Sequence, residues 1–437
     1  MHTDLKNPYY RKWLSFLKST ETWSRDEIKA YQLSKIKELI KYAFYNTEGY
    51  RSLYRKSGVD PENINSFADF SSILLVDKET IRDNQESFSV NIKRRQYITT
   101  GGSTGIPFGF YRDPESFGRE LASKAYQYYR IGWKENARQM VLRGLPVNNK
   151  KHMRYYPRFN ELRCSSYFLT PEYMEKYRQR ALNYKPRFLR CYPSSGYIFA
   201  SFLKENNLKF PKLKGVLCAS ENLYDFQKQT MSEVFGCRIF SHYGHYECSV
   251  LAGYCEYTDD YHVLPQYGYA ELRDKNGKLV NRPGEVGEII ATSFIMKATP
   301  FIRYRTMDLA TFRAERCSRC GRPYQIWEKI DGRLQEFVIT KGGRYISMTA
   351  INMHDHTFDL LKQFQFFQQR PGEVSLRYIP KADLSRSSEN KMLQRLSAKF
   401  GDDLLIKPEK VKEIPLTKRG KHRFLIQKLN IRYQDII

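Results

Sequence analysis

No stretch of this 437-residue chain holds the run of apolar residues, ~20 long, that a helix needs to cross a bilayer. No membrane-spanning helix is therefore expected. Met1 to Tyr10 lacks the apolar segment of a secretory signal, which points to a cytoplasmic protein. Cysteine is sparse, eight in all, and only Cys317 and Cys320 stand as a CxxC pair. In a long chain without a signal segment, reduced thiols or metal ligation are expected rather than disulfides. There is no low-complexity tail, no internal repeat and no continuous basic arm. The Gly-Lys-Ser/Thr ending of a Walker A loop is absent too, which excludes that way of binding nucleotides.

What is present is a strong excess of positive charge. Lys and Arg number 73 against 47 acidic residues, a net +26. Such an excess attracts polyanions, anionic lipid surfaces and phosphorylated substrates. The cations are dispersed, with only short clusters such as Lys93-Arg94-Arg95 and Lys150-Lys151. Nucleic acid is accordingly not the expected partner. Apolar residues make up 41% and aromatics 15%, enough for real cores. The length suggests two or three domains.

Periodicity divides the chain. Leu33, Ile36, Leu39, Ile40, Ala43 and Phe44 recur at helical spacing, predicting an amphipathic helix over Leu33 to Tyr54. From about Gln96 short strands alternate with helices. Strands are expected at Tyr97 to Thr100, Phe108 to Arg112, Gln139 to Leu142, Arg187 to Cys191, Gly215 to Cys218 and Arg238 to Ser241. Helices are expected at Glu115 to Tyr129, Pro171 to Leu182, Gly196 to Glu205 and Leu223 to Phe235. That alternation argues for a mostly parallel sheet covered by helices. After Tyr254 the rhythm turns β-rich, with strands expected at Tyr261 to Leu264, Gly268 to Arg273, Glu288 to Ser293 and Phe301 to Arg305. Beyond Gly332 a third unit reads as α+β, with a helix near Met348 to Phe358 and another over Ser388 to Phe400.

Five segments carry chemistry. In Thr99 to Pro107, three glycines allow close backbone approach, and Thr100, Ser103 and Thr104 add hydroxyls that can cradle phosphate oxygens. The plain alternative is a turn. Ser241 to Glu247 follows a strand, and a carboxylate at such an edge suits magnesium. The alternative there is a polar aromatic surface loop. Asp308, within Pro300 to Leu309, could accept from ribose hydroxyls or pair with a neighbouring arginine. Asp331-Gly332-Arg333 marks a passage between units. Pro415 to Arg423 is a basic stretch, either a solvated face or a loop whose lysine meets a departing phosphate.

In this order the five segments resemble the adenylate-forming superfamily of acyl-CoA synthetases. The chain looks most like its phenylacetate-CoA ligase branch, especially the CapK-like capsule-polysaccharide members. Phe44-Tyr45-Asn46, Tyr50 to Tyr54 and Val59-Asp60-Pro61 extend the likeness to the N-terminal region. The resemblance implies an α/β adenylate-forming ligase fold: a large N-terminal domain, residues 1–331, with a β-rich subdomain from about 255, and a small mobile α+β cap, residues 332–437. It implies that Thr100, Gly101, Gly102, Ser103, Thr104 and Gly105 hold the ATP phosphates. Tyr243 and Gly244 would form the adenine platform, Glu221 would lie at the adenine edge, and Glu247 would bind magnesium. Asp308 and Arg333 would serve the ribose, and Lys421 the adenylation transition state. Departures from the family pattern are Tyr246 for Thr, Met307 for Gly, Phe108 for Lys, and Leu334-Gln335-Glu336 after Gly-Arg.

The branch also implies a structural zinc held by Cys255, His262, Cys317 and Cys320, an ordinary tetrahedral set. The expected function is activation of a carboxylate, or of a phenolic or other hydroxyl acceptor, with ATP and release of pyrophosphate. Its setting would be capsule or surface polysaccharide synthesis, with AMP as the transferred group and CoA as one candidate for a second step. The expected partner is a small-molecule acceptor or sugar-linked acid. A homodimer also fits the resemblance, and the basic charge fits peripheral association with an anionic inner-membrane surface. The rival reading is a non-catalytic binder of polyanions or nucleic acid on a ligase scaffold, favoured by the charge and the 33 tyrosines.

Overall fold

Helix signals near the N-terminus are strong enough to act locally. Ser24 and Glu27 form a reciprocal capping box that starts a helix at Arg25–Asn46. Its buried stripe is Ile28, Ile36, Leu39, Ile40 and Ala43. The single helix expected over Leu33 to Tyr54 is in fact two. Thr47 is extended (φ −134°), ends the first and caps the second, Glu48–Lys56, by accepting from the amide of Tyr50. A β-branched residue able to cap outweighs the continuing apolar period. The computed structural model describes residues 7–99, 108–144, 152–166, 168–333, 337–343, 345–347, 358, 360–415 and 422–429. The Gly101 to Gly105 loop, Lys421, Leu334-Gln335-Glu336 and most of the helix expected near Met348 to Phe358 lie outside the described residues.

The chain forms two compact units. One comprises Met1–Glu135, Phe240–Thr306 and Ala310–Ile330; the other comprises Asn136–Ile239, Met307–Leu309 and Asp331–Ile437.

In the first unit, Asp113 caps the helix Pro114–Tyr129 by accepting from the amide of Ser116, with proline at the first helical position. Just before it, strands Gln96–Thr99 and Gly109–Arg112 pair antiparallel, Thr99 opposite Gly109, and bracket the Gly/Ser/Thr segment. A Cβ at Gly109 would lie 1.9 Å from the Tyr97 hydroxyl, so a larger residue there would have to displace that exposed ring. Antiparallel strands follow. Arg238–Gly244 pairs with Leu251–Tyr254, which pairs with Tyr261–Val263, which pairs with Ile326–Arg333. Gly268–Arg273 pairs with Val286–Ser293. The strand expected at Phe301 to Arg305 instead begins at Tyr304 and runs to Ala314. Arg303 has φ +44°, outside the β region, and its guanidinium is engaged by Glu271 at 3.0 Å and by the carbonyl of Ser71 at 2.6 Å. This buried side-chain network holds a conformation that propensity alone would not select.

In the second unit the strands Gln139–Arg143, Glu161–Ser165, Phe188–Cys191 and Gly215–Ala219 are parallel. They lie in the order Gly215–Ala219, Phe188–Cys191, Gln139–Arg143, Glu161–Ser165, with Met153–Tyr156 antiparallel at the edge. Helices Pro171–Tyr184, Pro193–Glu205 and Asp225–Phe235 pack their apolar faces on this sheet through Met174, Tyr177, Phe199, Leu203 and Met231. The same unit contains a smaller sheet, ordered Leu405–Lys410, Glu373–Pro380, Leu361–Arg370, Leu425–Gln427. Helix Arg386–Phe400 covers it, sharing a core of Phe366, Leu376, Met392, Leu396 and Phe400.

Candidate active site and metal centre

Strand Arg238–Gly244 delivers the Tyr243 segment. The Tyr243 ring is half-buried, its centroid 6.1 Å from that of Trp327 at 63°. Gly244 is tightly surrounded, for a Cβ there would sit 3.0 Å from Leu251 Cδ1. The chain then turns, with Cys248 in the left-handed region at φ +50°. This turn buries the Glu247 carboxylate, which is only 9% exposed. His245 Nδ1 lies 3.1 Å from its Oε2, and the Tyr304 hydroxyl donates to Oε1 at 3.3 Å. A carboxylate held from two sides is oriented before any cation arrives. Tyr304 and the role of His245 escaped the sequence reading. Both stand in segments singled out for other residues; the local turn brings His245 to Glu247, and only the fold brings Tyr304 there.

Two departures from the family pattern now have a physical account. Tyr246 is 49% exposed, so its bulk points to solvent and does not crowd Glu247. Phe108 is fully buried and stacks on Tyr304 at 6.5 Å and 9°. A lysine ammonium would be desolvated there, whereas phenylalanine supports the ring that holds Glu247.

Asp308 is 5% exposed on the strand Tyr304–Ala314. Met307 before it has φ +62°. That conformation favours glycine, the family's usual residue at the position. Met307 packs with Leu309, Phe337 and Ile339, contacts that offset the backbone strain. The neighbouring Arg303 and Arg305 are engaged by Glu271 and Glu288, the latter at 2.7 Å. In the second unit Glu221 follows the strand Gly215–Ala219. It accepts from the amide of Ser194 at 3.0 Å, at the start of helix Pro193–Glu205, where the helix dipole favours a carboxylate. Arg333 ends the strand Ile326–Arg333 after Gly332 at φ +98°. Thr100, Gly101, Gly102, Ser103, Thr104, Gly105 and Lys421 lie outside the described residues.

The four residues expected to hold zinc come together in the first unit. The ligating atoms of Cys255, His262, Cys317 and Cys320 all lie within 4.8 Å of one another. Cys255 Sγ is 3.9 Å from Cys317 Sγ, and Cys320 Sγ is 3.8 Å from His262 Nε2. A tetrahedron with bonds of about 2.3 Å has edges near ~3.8 Å, so these spacings fit zinc closely. The amide of Cys320 donates to Cys317 Sγ at 3.5 Å, and that of Tyr257 to Cys255 Sγ at 3.4 Å. Gly321, at φ +76°, closes the knuckle by donating to the Cys317 carbonyl at 3.0 Å. Burial, and then the nearby Arg130 and Arg322, push the His262 pKa down to about 3, leaving the neutral imidazole that can ligate. Burial also raises the Cys255 thiol above its ordinary value, so a thiolate there needs a cation beside it.

Residues 338–428 match the family model described as the CapK C-terminal domain. Protein CapK of Staphylococcus aureus is 23% identical over 413 residues, covering 91% of this chain and 89% of that protein. A phenylacetate-coenzyme A ligase of Pseudomonas putida is 22% identical, covering 77% of each. Among solved structures, 2-hydroxyisobutyryl-CoA ligase in its postadenylation state has a TM-score of 0.75 at 18% identity, covering 93% of this chain and 91% of that one. At that identity the structural likeness speaks for the fold, and it is the adenylate-forming ligase fold. The family match lies in the C-terminal residues, whereas the relatives span about three-quarters to nine-tenths of the chain. Together they show that this chain is similar to CapK-like proteins and phenylacetate-coenzyme A ligases and shares the adenylate-forming ligase fold.

Proposed function

We propose that the protein is an ATP-dependent adenylate-forming ligase. An oxygen of a small-molecule acceptor, a carboxylate or a phenolic or other hydroxyl, attacks the α-phosphate of ATP. The α-phosphate's bond to the leaving pyrophosphate breaks, and acyl-AMP or its ester counterpart forms. The observation that carries this reading is the buried Glu247 carboxylate, oriented by His245 and Tyr304 beside the half-buried Tyr243. Magnesium at Glu247 would supply charge neutralisation at the phosphates. Tyr243 and Gly244 would receive the adenine, Glu221 its edge, and Asp308 and Arg333 the ribose. The Thr100 to Gly105 segment would hold the departing pyrophosphate, with Lys421 at the developing charge. The proposal divides the chain at 331/332 into adenylation domain and cap. It also assigns structural zinc to Cys255, His262, Cys317 and Cys320, four protein ligands that leave no open position for catalysis. CoA remains the candidate for a second step, and capsule or surface polysaccharide synthesis the setting suggested by the CapK relative.

The test is acceptor-dependent pyrophosphate release, screened over carboxylic acids, phenols and sugar acids. Glu247→Gln should lower the rate by about 10²-fold or more, because a neutral amide holds magnesium poorly. Absence of both ATP binding and pyrophosphate release with every acceptor class would favour the non-catalytic reading instead.

A further inference from the structure

The parallel strands of the second unit have two ends. Ser194 and Glu221 gather at the C-terminal end, where ligands of such sheets bind. The N-terminal end is different in character. Arg138, Lys185, Arg187, Lys209, Lys212 and Lys214 stand there, all exposed. They immediately precede the strands Gln139–Arg143, Phe188–Cys191 and Gly215–Ala219 or lie in the turns leading to them. The main chain ties three of them into one row. The amide of Arg187 donates to the Arg138 carbonyl at 2.8 Å, and that of Lys214 to the Arg187 carbonyl at 2.7 Å. Adjacent strands lie about 4.8 Å apart, so the row is dense in charge. Lys185 and Lys212 come two residues earlier on neighbouring strands, beside this row.

Nearby acids do not neutralise the row. Glu161 is buried and bonded to Arg163 and Arg190, Glu175 pairs with Arg178, and Glu233 with Lys204. Among the described residues, Lys185, Arg187, Lys209, Lys212 and Lys214 make no ion pair. Arg138 reaches only the Tyr184 carbonyl, at 3.4 Å. A helix C-terminus explains part of this, since Lys185 caps Pro171–Tyr184 and a cation is favourable there. It does not explain the cations before the other strands.

We infer that the N-terminal end of these parallel strands is a docking surface for an anionic lipid bilayer. The cluster has the size and composition that bind anionic headgroups electrostatically. Single-stranded nucleic acid fits less well, because it needs open aromatic faces for its bases. The rings at this end are already engaged: Tyr156 lies under Arg163 at 4.2 Å and Arg154 at 5.1 Å, and Tyr155 packs edge-on to Tyr184 at 5.4 Å. The five residues of Gln139–Arg143 separate the two ends by about 13 Å, so docking leaves the C-terminal end facing away from the bilayer. The inference is independent of the adenylation reading.

The full chain should sediment with vesicles of phosphatidylcholine containing about one-third phosphatidylglycerol, should not sediment with pure phosphatidylcholine, and should be released by salt. Reversing Lys185, Arg187, Lys212 and Lys214 to Glu should weaken the partition by about 100-fold or more. A control variant reverses four exposed cations of the first unit, Lys12, Lys29, Lys275 and Lys278, to Glu, giving the same net charge. It should lose less than about one-tenth as much, because these four residues are no part of the row and test net charge alone. Unchanged thermal unfolding and near-ultraviolet circular dichroism qualify both variants; should the fourfold reversal unfold, the fourfold change to Gln takes its place and should still weaken binding by about 10-fold. Equal losses in both variants would show a net-charge effect and overturn the proposal. So would failure of the wild-type chain to bind anionic vesicles, or tighter binding to a single-stranded RNA oligonucleotide than to the vesicles.

Discussion

Single residues decide how the adenylation reading can fail. Lys421 follows Gly420 behind Pro415 and Thr417, the position the family reserves for its adenylation lysine. It stands among Lys418, Arg419 and Arg423, so a merely solvated cation is the plain alternative. If Lys421 meets charge that develops only in the transition state, Lys421→Ala should slow adenylate formation by about 10²–10³-fold. ATP affinity should change far less, because the contact is weak in the ground state. Lys418→Ala is the control, and equal small losses in both variants would leave the mechanism without its key group. Gly102→Val asks a different question. A β-branched residue in the Gly101 to Gly105 loop should block close backbone approach to phosphate and abolish ATP binding measured calorimetrically. A folded Gly102→Val protein with normal affinity would count against the loop. Tyr246 and Phe108 illustrate why such letters mislead when read singly. One departs from the family pattern but points to solvent, and the other is buried behind Tyr304.

At the scale of elements, the Cys317–Cys320 knuckle meets Cys255, just after the strand Leu251–Tyr254, and His262 on the strand Tyr261–Val263. Arg322, just beyond it, reaches Glu21 at 2.5 Å and Glu256 at 2.6 Å. Metal binding should therefore stabilise an N-terminal segment distant in sequence as well as the knuckle itself. Purified protein should contain one zinc per chain by elemental analysis. Cys320→Ser should lose it and unfold at a midpoint lower by about 5 °C or more. Metal-free protein of undiminished stability would remove the assignment. A second element carries a pH signature. His422 is buried, its Nε2 donating to the Phe364 carbonyl at 2.9 Å on the sheet of the second unit. Burial pushes its pKa down to about 4, against the opposing effect of that hydrogen bond. An unfolded histidine titrates near ~6.5, so between these values the unfolded chain binds the extra proton. The contribution to stability is present above pH ~6.5 and is lost as pH falls, about 3 kcal/mol by pH 4. Denaturant midpoints measured from pH 7 to 4 should fall less steeply for His422→Gln than for the wild type; parallel slopes would contradict the burial argument.

Across the whole molecule, what could be read from sequence followed the range of the forces involved. Asp113-Pro114 and the alternation of short strands with helices act within a few residues, and the helix Pro114–Tyr129 and the parallel strands Gln139–Arg143, Phe188–Cys191 and Gly215–Ala219 begin close to where they were expected. The strands Met153–Tyr156 and Glu161–Ser165 were not legible. Arg154 and Arg163 interrupt their apolar pattern: Arg163 stacks across the strands on Tyr156 and pairs with Glu161, and Arg154 lies over Tyr156 within its own strand. The sequence alone determined the charge excess and, through five short segments in order, the resemblance to the adenylate-forming superfamily. Only the tertiary structure decided that His245 and Tyr304 flank Glu247, that Met307 bears a glycine's conformation, and that six dispersed cations share one end of a sheet. Apart from the local turn that carries His245, those facts depend on residues far apart in the chain coming together, as Tyr304 meets Glu247, and no local propensity encodes such meetings.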